Sequence, residues 1–455
     1  MNAANGKLNG QLTNGKLNGH SPAVPLAPLA GLRVVEISSY IASPLGGMTL
    51  AQLGADVIRI DPIGGAPDTT RWPLGPTGVS LYWVGLNKGK RSVMLDLRSP
   101  AGQDAVRRLV CAPGPTGHDP GGGILLTNAA GRDWMSYETL RALRSDVILV
   151  ELLGRHDGHP AVDYTVNAET GFPLVTGPEG HGDPINHVLP AWDVACGLYA
   201  ALAIVAAERA RRQTGQGTLV RAALHDVALA TAGNLGFLAE AEFGVERPRT
   251  GNHLYGGFAH DFATRDHKRV MLVALTSRHW RDLVALTGRG EVVAALESTL
   301  GADFGRDSDR YQHRVIIQGI MAPWFAERDH ADVAEGLAKT SVLWSTYKSF
   351  SDLHSHHRDE LEANPLMSVL DQPGVGQYLA PGSPLAFSGL DRAATPAPQL
   401  GEHTVEVLWE AGLSDGEVTR LLDAGVAARE VSKRGTSERA ERAGGSARAD
   451  LASAR

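Results

Sequence analysis

The sequence predicts an α/β fold built on a parallel sheet, and three observations lead there. Short β-branched runs recur between residues 32 and 151, with helix-compatible stretches between them. The first two runs flank one helix, and a compact β-α-β unit requires its strands to lie parallel. A long Ala-rich segment then ends in Gly215-Gln-Gly217 and passes into another β-like run. At 455 residues the chain exceeds one typical domain, so two lobes are expected.

Taken in order, Leu32-Arg-Val-Val-Glu-Ile-Ser38 is the first strand. Ser43 to Leu53 follows as a helix, with Ser43 as N-cap and Pro44 at the first helical position. Gly54 closes that helix, and Asp56-Val-Ile-Arg-Ile-Asp61 is the second strand. Ser92–Leu97, Gly123–Asn128 and Asp146–Glu151 continue the strand series. Pro113 to Gly123 is Gly/Pro-rich and reads as a surface loop. Asp193 to Gln213 is helical and is stopped by its glycines. After Arg249 the character changes: Val270–Leu275 reads as a strand, Ser277 opens a helix, and helices continue to about residue 350. Residues 255–365 are read as a smaller lobe. Ser414-Asp-Gly-Glu417 is a capping box before a short helix. Residues 1–28, where Asn-Gly-Lys-Leu-Asn-Gly occurs twice, and 428–455 read as disordered tails with too little apolar content to fold.

The formal net charge of −7 argues against a nucleic-acid partner. Cys111 and Cys196 lack metal or redox spacing, so no disulfide framework is expected and a reducing cytoplasm is the expected location. No secretory signal and no membrane span are expected from the pattern of apolar runs.

Asp226 follows the long helix, the glycine turn and the β-like run. An acid at such a junction is held on rigid elements yet is reachable from a cleft, so it reads either as a catalytic carboxylate or as a helix N-cap. The residues alone leave both open. The Ser38–Gly47 segment lacks the G-x-G-x-x-G that a pyrophosphate needs, which argues against a nicotinamide or flavin. Leu86-Asn-Lys-Gly-Lys-Arg-Ser92 reads either as a phosphate-binding turn or as a solvated basic turn. His354, His356 and His357 sit in a charged stretch and read as an exposed loop rather than a metal site. No G-x-S-x-G elbow is present.

Several of these segments, with others, occur in a fixed order: Leu32-Arg-Val-Val-Glu, Gly54-Ala-Asp-Val-Ile-Arg-Ile, Leu86-Asn-Lys-Gly-Lys-Arg-Ser-Val, Thr214-Gly-Gln-Gly, Asp226, Arg249-Thr-Gly-Asn-His, Pro381-Gly-Ser-Pro-Leu and Pro398-Gln-Leu-Gly-Glu-His-Thr404. Over roughly Leu29 to Val426 the chain resembles the family III CoA-transferases. The resemblance implies a large Rossmann-like domain from residues 29–245, to which 366–427 return, and a smaller α+β domain at 255–365. Two such chains are expected to interlock as a homodimer.

The resemblance also implies roles. Asp226 falls on the nucleophilic aspartate. Ile41 and Ala42 line the CoA and acyl site, Leu95 and Arg98 hold the nucleotide end, and Asn128 contacts the pantetheine. Arg132 replaces a phosphate-pairing arginine, and Asp163 is an acid near the nucleophile. Pro62 stands where a CoA-contacting arginine occurs in a relative. The glycine-rich flap of oxalate-specific members is absent, and His253-Leu-Tyr-Gly-Gly257 takes its place. Tyr255, Gly256 and Gly257 are candidate N–H donors to the tetrahedral intermediates.

Within the family, Gly46–Gly54, Val162–Asn167, Asn186–Asp193 and Gly251–Gly256 point to the branch that moves CoA between the two carboxyls of one methylfumarate. An acyl-CoA and a dicarboxylic acid are then the substrates, CoA enters as part of the substrate, and no resident cofactor or metal is expected. The distal carboxylate needs a cation, for which Arg71, His225, Arg249 and His253 are candidates. Intermolecular CoA transfer between different acids is the alternative. Racemisation needs a proton carrier where this chain has Val162. A non-catalytic CoA-binding protein is the third alternative.

Overall fold

The structure, a computed structural model, describes residues 27–115 and 121–429. Its centre is a seven-stranded sheet with strand order β12-β3-β2-β1-β4-β5-β6. The strands are β1 (Arg33–Ile37), β2 (Asp56–Asp61), β3 (Arg91–Leu95), β4 (Ile124–Thr127), β5 (Ile148–Leu153), β6 (Thr218–Ala223) and β12 (Ala427–Ala428). All neighbours pair parallel except β12, which runs antiparallel to β3. Two antiparallel sheets lie apart from it: β7 (Phe258–Ala263), β8 (Arg269–Ala274) and β9 (Leu343–Thr346), and the hairpin β10 (Met367–Gln372) and β11 (Gly376–Pro381).

The helices α1 (Ala42–Ala51), α2 (Leu81–Leu86), α3 (Pro100–Cys111), α4 (Tyr137–Leu143), α5 (Asp163–Glu169), α6 (Phe172–Val175), α7 (Ala191–Thr214) and α8 (Leu224–Asn234) fill the connections of the large sheet. The two-residue period of the strands builds two cores. Val34, Val57, Leu126, Ile148 and Val150 pack with Cys196, Ala200 and Ile204 of α7. The alternate residues Val35, Ile58, Val93 and Leu149 pack with Ala105, Val106 and Leu109 of α3. Both faces of the sheet are therefore covered, as a parallel sheet requires. Each such fully buried aliphatic side chain contributes about 1.5–3 kcal/mol. Val407, Leu408 and Val418 from the C-terminal helices complete the second core, so the end of the chain packs back on the sheet. A separate core gathers Phe258, Phe262, Leu272, Trp280, Phe304, Ile317, Phe325 and Leu337 around β7–β9.

Several local expectations need correction. Helix α1 starts at Ala42, its N-cap is Ile41 without a side-chain bond, and Ser43 is buried inside the first turn. Ala428 pairs with Met94, so the chain is still in the sheet where a tail was expected. The rest of the expected tails, outside 27–429, and part of the Pro113–Gly123 loop lie outside the described residues. Helix α7 is also long and apolar enough, by length and composition, to cross a bilayer. Here it is a packed helix: its Gly197 lies against α1 so closely that a Cβ would sit 2.6 Å from the Ala42 carbonyl oxygen.

Candidate active site

In an open parallel sheet, ligands bind beyond the carboxyl ends of the strands where the strand order reverses. Here that point lies between β1 and β4. Asn128, just past β4, clasps the end of β1: its Nδ2 donates to the Ser39 carbonyl at 2.8 Å and its Oδ1 accepts the Ser39 N–H at 3.2 Å. A cleft of about 520 Å³ opens there, and its walls include Ser38, Pro62, Arg98, Asn128 and Arg132. Arg98, Asn128 and Arg132 are thus brought together. The Arg98 side chain is 96% exposed and lies 3.6 Å from Asp96, so its guanidinium is open to an anion. Leu95 does not line this cleft. It is buried in the sheet core, because the side-chain period turns it inward, and Asp96, Leu97 and Arg98 form the wall instead.

The turn from β1 to α1 is held from below by a buried charge network. Arg59, fully buried, donates to Asp61 at 3.0 Å, to Asp68 at 3.0 Å and to Asn87 at 3.1 Å. Lys90 bonds Glu36 at 2.8 Å, and burial pushes its ammonium down to about 8 against the pull of that carboxylate. Asp68 in turn accepts the N–H of Tyr40 at 3.1 Å. Tyr40 has φ of +66°, a left-handed conformation that costs a non-glycine residue about 1–2 kcal/mol. Asp68 offsets that cost and fixes where Ile41 points. Ile41 lines a second cleft, of about 660 Å³, with Tyr82, Lys88, Pro190, Val194 and Tyr378. Ala42 is buried in the core.

Asp193 stands in the first turn of α7, next in sequence to Val194 of the second cleft's wall. Its N–H and that of Trp192 donate to the buried Asp163 carboxylate, at 3.1 and 2.8 Å. Asp163 thus serves as an acceptor for two of the unpaired donors of the α7 N-terminus. The Asp193 carboxyl is pushed up to about 7, by burial first and by the like charge of Asp163 second, with Arg71 opposing. Sequence reasoning passed over Asp193 because an acid in a first helical turn is ordinary. The signal was an acid in the first turn of a 24-residue, Ala-rich helix, but only the fold puts a second acid beneath it.

Asp226 lies in the first turn of α8, beyond edge strand β6. Its side chain is 53% exposed, with His156 Nδ1 at 3.6 Å and His225 Nδ1 at 3.9 Å. It lines neither of the two clefts above. His225 donates its main-chain N–H to Gly154, and its ring is largely buried. The Gly257 N–H is spent on the Leu254 carbonyl at 3.3 Å, so it is not free to act as an oxyanion donor. Tyr255 bonds Glu240 through its hydroxyl and lies on Arg247, 4.1 Å from ring centroid to guanidinium, beside Gly256 at φ +77°. Arg249 donates to the carbonyls of Leu174 and Pro173. His253 stacks on His260 at 4.1 Å and is held below its usual range by burial and then by Arg314. His356 and His357 form the turn between two short helices, Phe350–Ser355 and Arg358–Glu362, and lie beside Asp352 and Glu360. Val162 is the N-cap residue of α5, with its side chain exposed.

Comparison with known proteins places these features in a family context. The family model described as CoA-transferase family III matches residues 29–404. The chain is 48% identical, over 88% of its length and 98% of the relative's, to 2-methylfumaryl-CoA isomerase of Chloroflexus aurantiacus. It is 27% identical to succinyl-CoA:mesaconate CoA-transferase of Haloarcula hispanica, over 86% of this chain and 98% of that one. Among solved structures, a CAIB/BAIF family protein from Brucella suis superposes with a TM-score of 0.70 at 24% identity, covering 85% of this chain and 99% of that one. That last likeness speaks to the fold alone.

Proposed function

The chain belongs to CoA-transferase family III, and from that premise we propose that it moves coenzyme A between the two carboxyls of mesaconate, converting 2-methylfumaryl-CoA to 3-methylfumaryl-CoA. The likeness to the Chloroflexus aurantiacus isomerase along nearly its whole length carries this reading. The β1/β4 cleft receives the CoA, with Arg98 and Arg132 toward its phosphates and Asn128 toward the pantetheine.

The chemistry is a series of acyl exchanges on one enzyme carboxylate. The carboxylate attacks the thioester carbonyl, giving a mixed anhydride and CoA thiolate. The thiolate attacks the enzyme's carbonyl, giving an aspartyl-CoA thioester and free mesaconate. The other carboxylate of mesaconate attacks that thioester and again releases thiolate. Thiolate attack on the new acyl carbonyl then regenerates the aspartate. Each thioester broken is replaced by another, so no ATP is consumed.

The geometry favours Asp193 as that carboxylate over the expected Asp226. Asp193 is partly desolvated, backed by Asp163, and next in sequence to Val194 of the Ile41 and Tyr82 cleft, whereas Asp226 faces solvent. Water near an anhydride hydrolyses it, so a dry site is a requirement of the reaction. The main-chain N–H groups of Tyr255 and Gly256 remain the candidate oxyanion donors. An exposed apolar face on α7, of Leu198, Tyr199, Leu202 and Val205, supports the expected homodimer. The separate cores support the division into 29–245 with 366–427, and 255–365.

Mesaconyl-CoA incubated alone should yield the regioisomer, with no label taken up from added isotopic mesaconate. Dependence on an added acid would favour the intermolecular alternative. Asp193→Asn should abolish turnover and Asp226→Asn should leave most of it; the reverse pattern restores Asp226 as nucleophile.

A further inference from the structure

Intramolecular transfer leaves one carboxylate of the acyl group free while the other is activated, and something must hold it. Four cations were open from the sequence. Arg249 gives its Nε and Nη2 to the main-chain carbonyls of Leu174 and Pro173, which leaves only its buried Nη1 and no two-pronged edge for a carboxylate. His225 is largely enclosed, with its Nε2 toward Glu169, and His253 is stacked on His260. Arg71 differs from all three. Its guanidinium makes no hydrogen bond and no ion pair among the described residues. It lies instead between two aromatic rings, 5.6 Å from the Tyr40 centroid and 5.2 Å from that of Tyr82.

From this geometry we infer that Arg71, held between Tyr40 and Tyr82, receives the free carboxylate of a dicarboxylic acyl group beside Asp193. The inference rests on the proposed reaction and names its specificity-determining residue. A guanidinium that spends no N–H on the protein among the described residues keeps its fork open, and that fork matches a carboxylate with two parallel bonds. The Tyr82 hydroxyl is a second donor: it is buried and has no hydrogen-bond partner among the described residues. Both Asp193 and Tyr82 lie within electrostatic reach of Arg71.

The placement is prepared in advance. The Asp68 carbonyl accepts the Arg71 N–H at 3.2 Å, while the Asp68 carboxylate accepts the Tyr40 N–H at 3.1 Å. The Ser80 hydroxyl donates to the Arg71 carbonyl at 2.6 Å. One buried aspartate therefore positions both the cation and one of its rings. The charge balance also suits the reaction. While Asp193 is ionised it draws on the field of Arg71. Once it carries CoA as a thioester it is neutral, and the substrate carboxylate that the anhydride releases supplies the missing charge. Arg71 thus holds the acid most strongly when the acid must not escape.

The test compares mesaconyl-CoA with crotonyl-CoA, which lacks the second carboxylate. In the unmodified protein mesaconyl-CoA should bind more tightly, by about 10- to 100-fold, the range for a charge-assisted pair. Arg71→Gln should bring that ratio near one and lower kcat/KM for mesaconyl-CoA by a similar factor. Its affinity for free CoA should not change. Arg71→Lys keeps the charge but loses the fork, so it should restore part of the preference. A preference that survives in both variants overturns the inference. The binding ratio is readable without turnover, so a protein that fails to isomerise mesaconyl-CoA refutes the proposed reaction while still testing the carboxylate site.

Discussion

Replacing Asp68 by alanine tests whether the buried network under the β1–α1 turn organises the site or only fills space. Asp68 is 1% exposed and bonds two partners, the Arg59 guanidinium at 3.0 Å and the Tyr40 N–H at 3.1 Å. Hydrogen bonds to charged groups contribute about 1.5–3 kcal/mol each, and breaking one partner of a buried pair costs about 3–5 kcal/mol. Arg59 keeps Asp61, bonded at 3.0 Å, which limits its loss. Tyr40, released from the left-handed region, recovers about 1 kcal/mol by relaxing. The net expectation is a loss of about 2–4 kcal/mol, read by urea unfolding at fixed protein concentration. Asp68→Asn keeps an acceptor of the same shape and should lose less than half as much. Asp68→Ala should also erase the preference for mesaconyl-CoA over crotonyl-CoA, because the Tyr40 ring no longer backs Arg71. A variant within about 1 kcal/mol of the parent, or one destabilised with its preference intact, refutes the organising role.

Four further outcomes follow from the same geometry. Asp193 must be ionised to attack, and its carboxyl is raised to about 7, so kcat/KM should fall on the acid side with a midpoint near that value; Arg71→Gln should move the midpoint upward and Asp226→Asn should not. Because the raised group binds its proton more tightly in the folded state than in the unfolded chain, its contribution to stability is full below the ordinary carboxylate range. That contribution is lost as pH rises through about 7, and Asp193→Asn should flatten that part of the stability profile. Arg132→Gln should raise KM for CoA thioesters about 10-fold with kcat little changed, as for loss of binding shared by ground and transition states. Gly197→Ala drives a Cβ to 2.6 Å from the Ala42 carbonyl oxygen and should cost about 1–3 kcal/mol by calorimetry.

The elements were legible because local patterns decide them. Asp56–Asp61 reads as a strand and is one, and Gly215 ends α7 at φ +70°. Ser414 caps its helix with Glu417 three residues on, as the motif requires. The start of α1 was misread for a physical reason: Ser43 has the chemistry of an N-cap, but the turn held by Asp68 carries Ile41 and Ala42 into the helix first and buries Ser43. Leu95 is turned into the core by its position in the period, while Asp96 to Arg98 of the same segment reach the cleft.

The site was legible only where one segment supplies it. Arg98, Asn128 and Arg132 each follow a strand of the parallel series, so a fold that gathers strand ends gathers them too. Asp193 and Arg71 have no such marker. What distinguishes Asp193 from the many acids that open helices is Asp163, a residue of a different helix, bonded to its N–H. What distinguishes Arg71 is its seat on the Tyr40 and Tyr82 rings with no hydrogen bond or ion pair among the described residues, and a seat built from three separate positions has no local sequence pattern. On the proposed reading these two belong to one device. A carboxylate poised near neutral pH within the field of a cation that has no ion-pair partner among the described residues is electrostatically unfinished, and the acyl group completes it in two stages: first by taking the negative charge from Asp193 as the anhydride forms, then by presenting a carboxylate of its own to Arg71. A monocarboxylic acyl group can do only the first, so a dicarboxylate is preferred at binding and held again at the aspartyl-CoA thioester, where losing the acid to solvent would turn an isomerase into a transferase.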